Sequence, residues 1–146
     1  MPARGIRRTL SSLGCIALVL SACSDSTTFD ASAAGSYELT RINGTVPPYT
    51  LPGTPAGTTV VVLSGDLVLL DNGRFDEIIR SRLTTPDTTV TTSAHTVGDV
   101  SASGGSITFK PRFEDNYSGN YTASTVTYTK QASATVSVSF EFTRSN

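Results

Sequence analysis

His95 is the single histidine of this 146-residue sequence, and histidine is the side chain best suited to proton transfer near neutral pH. A serine hydrolase needs such a base held against its nucleophile, yet the sequence contains no Gly-x-Ser-x-Gly turn. The stretch around His95 is rich in Thr and Val, which predicts an exposed histidine on a strand. No two carboxylates stand out by their spacing as a glycosidase pair. We therefore expect the chain not to be an enzyme.

Metal and cofactor sites find little support in the residue types. Zinc sites need several Cys or His ligands, and His95 stands alone. The segment 71–77 has acidic residues but lacks the carboxylate spacing and the distal Glu of a calcium loop, so a hairpin turn is the simpler interpretation. The acidic run Glu114-Asp115-Asn116 is interpreted as a solvated loop. We expect no metal and no cofactor.

Cys23 ends an N-terminal segment that has the features of an export signal. Three arginines lie in the first eight residues, and the apolar run 13–20 has the length of a signal-peptide core but is too short to span a bilayer. The run ends in Leu20-Ser21-Ala22-Cys23, which resembles the lipobox of bacterial lipoproteins. That resemblance implies cleavage before Cys23 and attachment of the protein to a membrane through lipid on that cysteine. The alternative is an ordinary secretory signal, cut after Ala22, that leaves a free thiol.

The same resemblance implies a location in the cell envelope. In such lipoproteins an Asp directly after the cysteine favours the inner membrane. Ser24 stands at that position here, so the resemblance favours the outer membrane, with the protein facing the periplasm or the cell surface. Loss of residues 1–22 removes three arginines and changes the formal net charge from −1 to −4, which disfavours nucleic acid as a partner. Cys15 leaves with the leader, so a disulfide within the mature chain is excluded.

The composition of the remainder predicts one β domain. The sequence has 23 Thr, 19 Ser and 12 Gly, which are poor helix formers. We divide it into a leader at 1–22, a lipidated cysteine with a flexible polar tether at 23–34, and a single domain at 35–146. Phe29 is interpreted as a chance apolar residue of the tether.

Alternation of apolar and polar side chains, which is typical of half-buried strands, runs through the domain. Its clearest example is a final strand in which alternate residues from Ala132 to Phe142 are apolar. Turn signals occur at Ser64-Gly65, Asn72-Gly73, Gly104-Gly105 and 118–120. The predicted strands cover residues 36–42, 59–63, 66–70, 74–82, 88–97, 105–110, 117–123, 125–130 and 132–143.

Consecutive strands joined by short turns predict an all-β, eight- to nine-stranded antiparallel up-and-down barrel, because closure removes exposed edges. A β-sandwich is the alternative. The register at Asn72-Gly73 stays open at this point. A two-residue turn pairs Leu70 with Phe75, whereas a three-residue loop with a glycine bulge pairs Leu69 with Phe75.

Short motifs link the domain to a known group of barrels. Gly35-Ser36-Tyr37 resembles the Gly-x-Trp motif that opens lipocalin-like (calycin) barrels, with Tyr37 in place of Trp. Phe142-Thr143-Arg144 is similar to the end of their last strand, and 65–75 looks like the second hairpin of small bacterial lipocalin-like lipoproteins. The resemblance implies that Arg144 covers the Tyr37 ring, and that the loop 44–58 lies across one mouth as a lid.

The barrel and the anchor together suggest a non-enzymatic lipoprotein that binds or shelters a small hydrophobic ligand. Tyr49 and Leu51 of the loop would cover the cavity or seal a packed core. The alternative is a packed barrel that acts as a protein-interaction or structural module of the envelope. The side chains expected to line a ligand cavity are Tyr37, Leu39, Phe75, Ile107, Phe109, Tyr121, Tyr128, Val136, Val138 and Phe140.

Overall fold

A computed structural model describes residues 28–133 and 136–145. Within these ranges the chain forms nine strands and one 3₁₀ turn at Ala31–Ala33, with no α-helix. The strands are β1 (Gly35–Ile42), β2 (Tyr49–Thr50), β3 (Thr59–Leu69), β4 (Arg74–Thr84), β5 (Thr89–Ser103), β6 (Ser106–Pro111), β7 (Tyr117–Tyr121), β8 (Thr125–Ser133) and β9 (Val136–Arg144).

Eight of these strands close into an antiparallel up-and-down barrel, which confirms the predicted fold and excludes the sandwich. From β3 to β9 each strand pairs with the next, and β1 pairs with both β9 and β3. The short β2 pairs with the part of β3 that β1 does not reach, with Tyr49 opposite Val62. The loop 44–58 therefore contributes a ninth strand along β3, and Tyr49 and Leu51 pack against the edge of the core.

The turn expected at Ser64-Gly65 is wrong, because β3 runs through these residues without reversing. A register shift between Val62 and Ser64 bends the strand there, as a bulge does. A Cβ atom on Gly65 would lie 2.7 Å from the Ile79 Cδ1 atom and 3.2 Å from Leu39 Cβ. Glycine is needed here for close packing and not for a turn.

The hairpin between β3 and β4 adopts the three-residue loop. Leu69 pairs with Phe75, the Leu70 amide donates to the Arg74 carbonyl at 2.8 Å, and Gly73 takes a positive φ of 74°. Leu69 and Phe75 are buried, whereas Leu70 is 43% exposed. The apolar run 67–70 is thus buried on its inward face, and Leu70 at its end is solvent-exposed.

The long final strand predicted from Ala132 onward is two strands. Ala132 belongs to β8, and Ser133 pairs with Val136 at the start of β9. The alternation of small residues continues from one strand into the next, and the sequence offers no Gly, Asn or Pro to mark the reversal.

Residues 28–34, assigned to a tether from the sequence, lie against the barrel. Phe29 forms a parallel bridge with Ala102, and Ala33 is fully buried. Asp30 caps the 3₁₀ turn by accepting from the Ser32 amide at 2.9 Å, and it also accepts from the Tyr121 hydroxyl at 2.7 Å. These two hydrogen bonds, that from Tyr121 first, lower the pKa of Asp30. Contacts with the barrel are therefore described as far back as Thr28, closer to Cys23 than the expected domain start at Gly35.

Candidate functional site

Aromatic rings stack across the interior of the barrel. The Phe109 ring is fully buried, and its centroid lies 4.8 Å from that of Tyr117, 5.0 Å from Phe75 and 5.3 Å from Tyr128. Tyr128 in turn stacks on Phe140 at 5.4 Å. Separations of 4.5–7 Å are those of rings in direct contact. The barrel is therefore filled by its own side chains at this level.

The ten residues predicted to line a cavity all belong to this interior or pack against it. Val136 is partly buried and packs against the others. The nine that are buried in the core are Tyr37, Leu39, Phe75, Ile107, Phe109, Tyr121, Tyr128, Val138 and Phe140. They pack on one another, and whether any of them also contacts a ligand stays a prediction.

Arg144 closes one end of the barrel, which we call the sealed end. Its guanidinium lies 5.0 Å from the centroid of the Tyr37 ring, which confirms the predicted pair. It donates to the Tyr37 hydroxyl at 2.8 Å and to the carbonyls of Ser32, Ala34 and Ala123 at 2.7, 2.8 and 2.8 Å. Burial raises the pKa of Tyr37, and the arginine opposes that shift. The side chain ties the segment 28–34 to the first and last strands.

A carboxylate is buried at the opposite end, which we call the mouth. Glu77 of β4 is 2% exposed, and its two oxygens accept from different side chains of β8. Oε2 accepts a short hydrogen bond from the Tyr128 hydroxyl, and Oε1 accepts from Lys130 Nζ at 2.7 Å. A buried charge is costly unless it is paired and hydrogen-bonded, and both conditions are met here.

Lys130 links this carboxylate to the surface of the mouth. Its Nζ atom lies 4.4 Å from the centroid of the Tyr117 ring and 3.7 Å from an oxygen of Glu114. The other Glu114 oxygen accepts from the hydroxyl of Thr96 at 3.1 Å. The loop between β6 and β7 is thereby held against β5 and β8, which do not pair with each other.

The Tyr117 hydroxyl is buried and has no hydrogen-bond partner among the described residues. Burial, followed by the negative charges of Glu77 and Glu114, raises the pKa of this phenol. Burial and Glu77 likewise raise the pKa of Tyr128 well above its ordinary value. Both phenols are therefore neutral across the physiological range.

A cleft of about 420 Å³ opens beside this cluster. Such a volume falls within the range of small-molecule sites, although most of the residues that line it are polar in type. It is bounded by Glu114, Asp115, Asn116, Tyr117, Thr129, Lys130 and Gln131.

The remaining candidates from the sequence lie elsewhere. His95 is exposed on β5, and its Nε2 atom is 2.8 Å from Asp76 Oδ1. The segment 71–77 forms the β3–β4 hairpin and the start of β4. In residues 28–133 and 136–145, no group of three His, Cys, Asp or Glu side chains could hold a metal ion. Cys23 lies outside the described residues. No helix in the described ranges is long and apolar enough to cross a membrane.

Sequence reasoning missed the mouth cluster. Glu77 was considered only as the end of a segment that resembles a calcium loop and was assigned to a hairpin and strand, and Lys130 was not singled out. The available signal was a charge at an inward position of each strand, since Glu77 is in phase with Phe75, and Lys130 is in phase with Tyr128. Comparison of the chain with protein-family models, curated proteins and solved structures gave no match.

Proposed function

We propose that this protein is a cell-envelope lipoprotein, anchored by lipid on Cys23, whose lipocalin-like barrel is a non-enzymatic protein-interaction module. The observation that carries the proposal is the stack of rings around Phe109, whose neighbours lie within 5.3 Å. A carrier of apolar ligands needs an empty lined interior of at least about 300 Å³. A ligand could enter this barrel only by displacing side chains that already bury one another.

The contacts of Thr28 and Phe29 with the barrel support an orientation on the membrane. Four residues separate Cys23 from Thr28, and an extended chain spans at most about 3.3–3.6 Å per residue, so a lipid on Cys23 would hold Thr28 within about 18 Å. Thr28 and Phe29 lie beside Ala102 at the sealed end. The mouth and the β4–β5 hairpin would then point away from the anchored end, toward partners.

A carrier of a small hydrophobic ligand is the second candidate. The cleft beside Lys130 favours it, because about 420 Å³ would admit a small molecule without disturbing the ring stack. A ligand there would have its apolar part on the Tyr117 ring and a polar group near Lys130. This candidate places the ligand at the mouth and not inside the barrel.

Native mass spectrometry of the full chain purified from membranes tests both candidates and the anchor. We expect the mass of the polypeptide from Cys23 plus its acyl groups, with no further adduct, and no complex with added palmitic acid. Phe109→Ala is the positive control, because it opens an apolar space that takes benzene, a probe of the size of the lost ring.

A co-purifying lipid, or a palmitate complex of the unchanged chain, would contradict the packed-module proposal and favour the carrier. A mass without acyl groups that is unaltered by Cys23→Ser would contradict the anchor. The mass of the acyl groups thus tests the anchor, and the mass of a bound lipid tests the packed module against the carrier.

A further inference from the structure

The strand β5 extends far past its last partner on one side. It pairs with β4 from Thr89 to Asp99, but its pairing with β6 begins only at Gly98. Every residue from Thr89 to His95 is exposed. In the described part of the chain this side of β5 has no neighbouring strand over residues 89–96, and we call it the β5 edge.

Alternate residues of the β5 edge direct their backbone groups outward. The Val97 carbonyl accepts from the Arg112 amide, on the side away from β4. Because antiparallel strands bond to one neighbour at every second residue, the amides and carbonyls of Thr89, Thr91, Ser93 and His95 also point away from β4. This is a row of main-chain donors and acceptors ready to pair with an extended strand.

The β5 edge lacks the features that usually prevent strand pairing. Exposed edges are commonly protected by lysines, prolines, bulges or very short strands. The corresponding edge of β8 carries Lys130 and a register shift between Gln131 and Ser133, and β2 is only two residues long. The stretch Thr89–Ala94 carries no charge and no proline, and its register with β4 is unbroken.

We propose that the β5 edge binds the β5 edge of a second copy of this chain, as an antiparallel pair about a two-fold axis at Thr92. This pairing sets Thr91 opposite Ser93 and Thr89 opposite His95, so outward backbone groups meet outward backbone groups. It also sets Val90 opposite Ala94. No like charges face each other, and both Thr–Ser and aliphatic pairs are favourable across strands.

An exposed aromatic ring at the end of the edge supports this occupant. Phe113 is 93% exposed and borders the same surface depression as His95. In the two-fold pair the partner's residue 89 lies beside His95, so the partner's turn at 85–88 reaches the Phe113 ring. A self-paired edge therefore also covers the most exposed large apolar side chain of the described residues.

The strength of the pairing rests on the proposed membrane anchor. Seven paired residues form a contact smaller than a standard stable interface, so pairing in dilute solution should be weak. Two lipid-anchored copies on one membrane meet at a much higher effective concentration. We therefore expect the dimer chiefly on the membrane.

Thr92→Cys in the full, membrane-bound chain tests the geometry. Directly opposed residues of a non-hydrogen-bonded antiparallel pair have Cα atoms about 4.5 Å apart, which is within the range that a disulfide spans. Gln131→Cys, at the lysine-bearing β8 edge, is the matched control. After mild oxidation, a non-reducing gel should show at least about tenfold more dimer for Thr92→Cys than for the control.

Equal cross-linking of the two variants would overturn the proposal. A disulfide between Thr92→Cys and a protein of different mass would also overturn it and would assign the edge to a foreign strand. Adding Thr91→Lys and Ser93→Lys should abolish the dimer while circular dichroism stays unchanged, and a persistent dimer would refute the edge contact. If no dimer forms, mass spectrometry of the same sample shows whether the chain carries lipid. A chain without lipid would indicate a failed anchor, whereas a lipidated chain without a dimer would indicate a failed pairing.

Discussion

Replacing Lys130 by Met would test whether the mouth cluster stabilises the barrel. Methionine keeps the length and packing of the side chain on the Tyr117 ring but removes the charge that lies 2.7 Å from Glu77. Removing one partner of a buried ion pair costs about 3–5 kcal/mol, because the other charge stays buried. Glu77 is 2% exposed but the Lys130 side chain is 21% exposed, so we expect a loss at the lower end, about 3 kcal/mol.

Urea unfolding followed by circular dichroism measures this loss. With an m value of about 2 kcal/mol per M, the midpoint should fall by about 1.5 M. Lys110→Met is the matched control, since Lys110 is exposed, and it should change the stability by less than about 0.5 kcal/mol. Adding Glu77→Gln to Lys130→Met should recover part of the loss. If Lys130→Met unfolds at the same urea concentration as the control, the charge pair does not stabilise the fold.

Three further changes follow from the interior. Tyr117→Phe should stabilise the protein by about 1 kcal/mol, because it removes a buried hydroxyl without a partner. Tyr128→Phe should destabilise the protein, because it removes a hydrogen-bond donor to Glu77. Thermal unfolding compares the two variants, and equal shifts of the melting temperature would contradict this reasoning. Because the pKa values of both phenols are raised in the folded chain, the unfolded chain loses these protons first as the pH rises. Their contribution to stability is therefore complete below about pH 10 and is lost as the pH rises further. The phenolate absorbance of these two residues should appear together with unfolding, and ionisation before unfolding would contradict the prediction. Gly65→Ala should lower the free energy of unfolding by about 1–3 kcal/mol, because the added methyl group would contact Ile79. Ile79→Val should destabilise the Gly65→Ala variant less than it destabilises the unchanged protein. Additive losses of stability would argue against the contact.

The fold could be predicted because its main determinant is local. Inward and outward residues alternate along each strand, so the sequence identified buried side chains such as Tyr37, Phe109 and Phe140 without knowledge of their partners. The Tyr37–Arg144 contact was also predictable, since closing a barrel brings its first and last strands together.

Other features depended on contacts between distant residues. Ser64-Gly65 has the composition of a turn, and only the approach of Ile79 and Leu39 explains the glycine. Glu77 and Lys130 are 53 residues apart, and each alone is a charge in a strand. Their burial follows from the register of strands that do not pair with each other, which no local pattern encodes.

The β5 side of the projecting β4–β5 hairpin buries little surface against the barrel that carries it. Its β5 residues from Thr89 to His95 are all exposed, so ordering them costs conformational entropy with little burial in return. The barrel is closed and filled without these residues, because the buried rings of Phe75, Phe109 and Tyr128 lie between Glu77 and the sealed end. Replacing residues 82–91 by Asn-Gly also removes the pairing of Arg82, Leu83 and Thr84 with β3, so it should cost no more than about 1–2 kcal/mol, and it should abolish membrane dimers of the full chain. A large loss of stability in urea would instead assign the hairpin to the support of the mouth, and retained dimers would locate the contact elsewhere on the barrel.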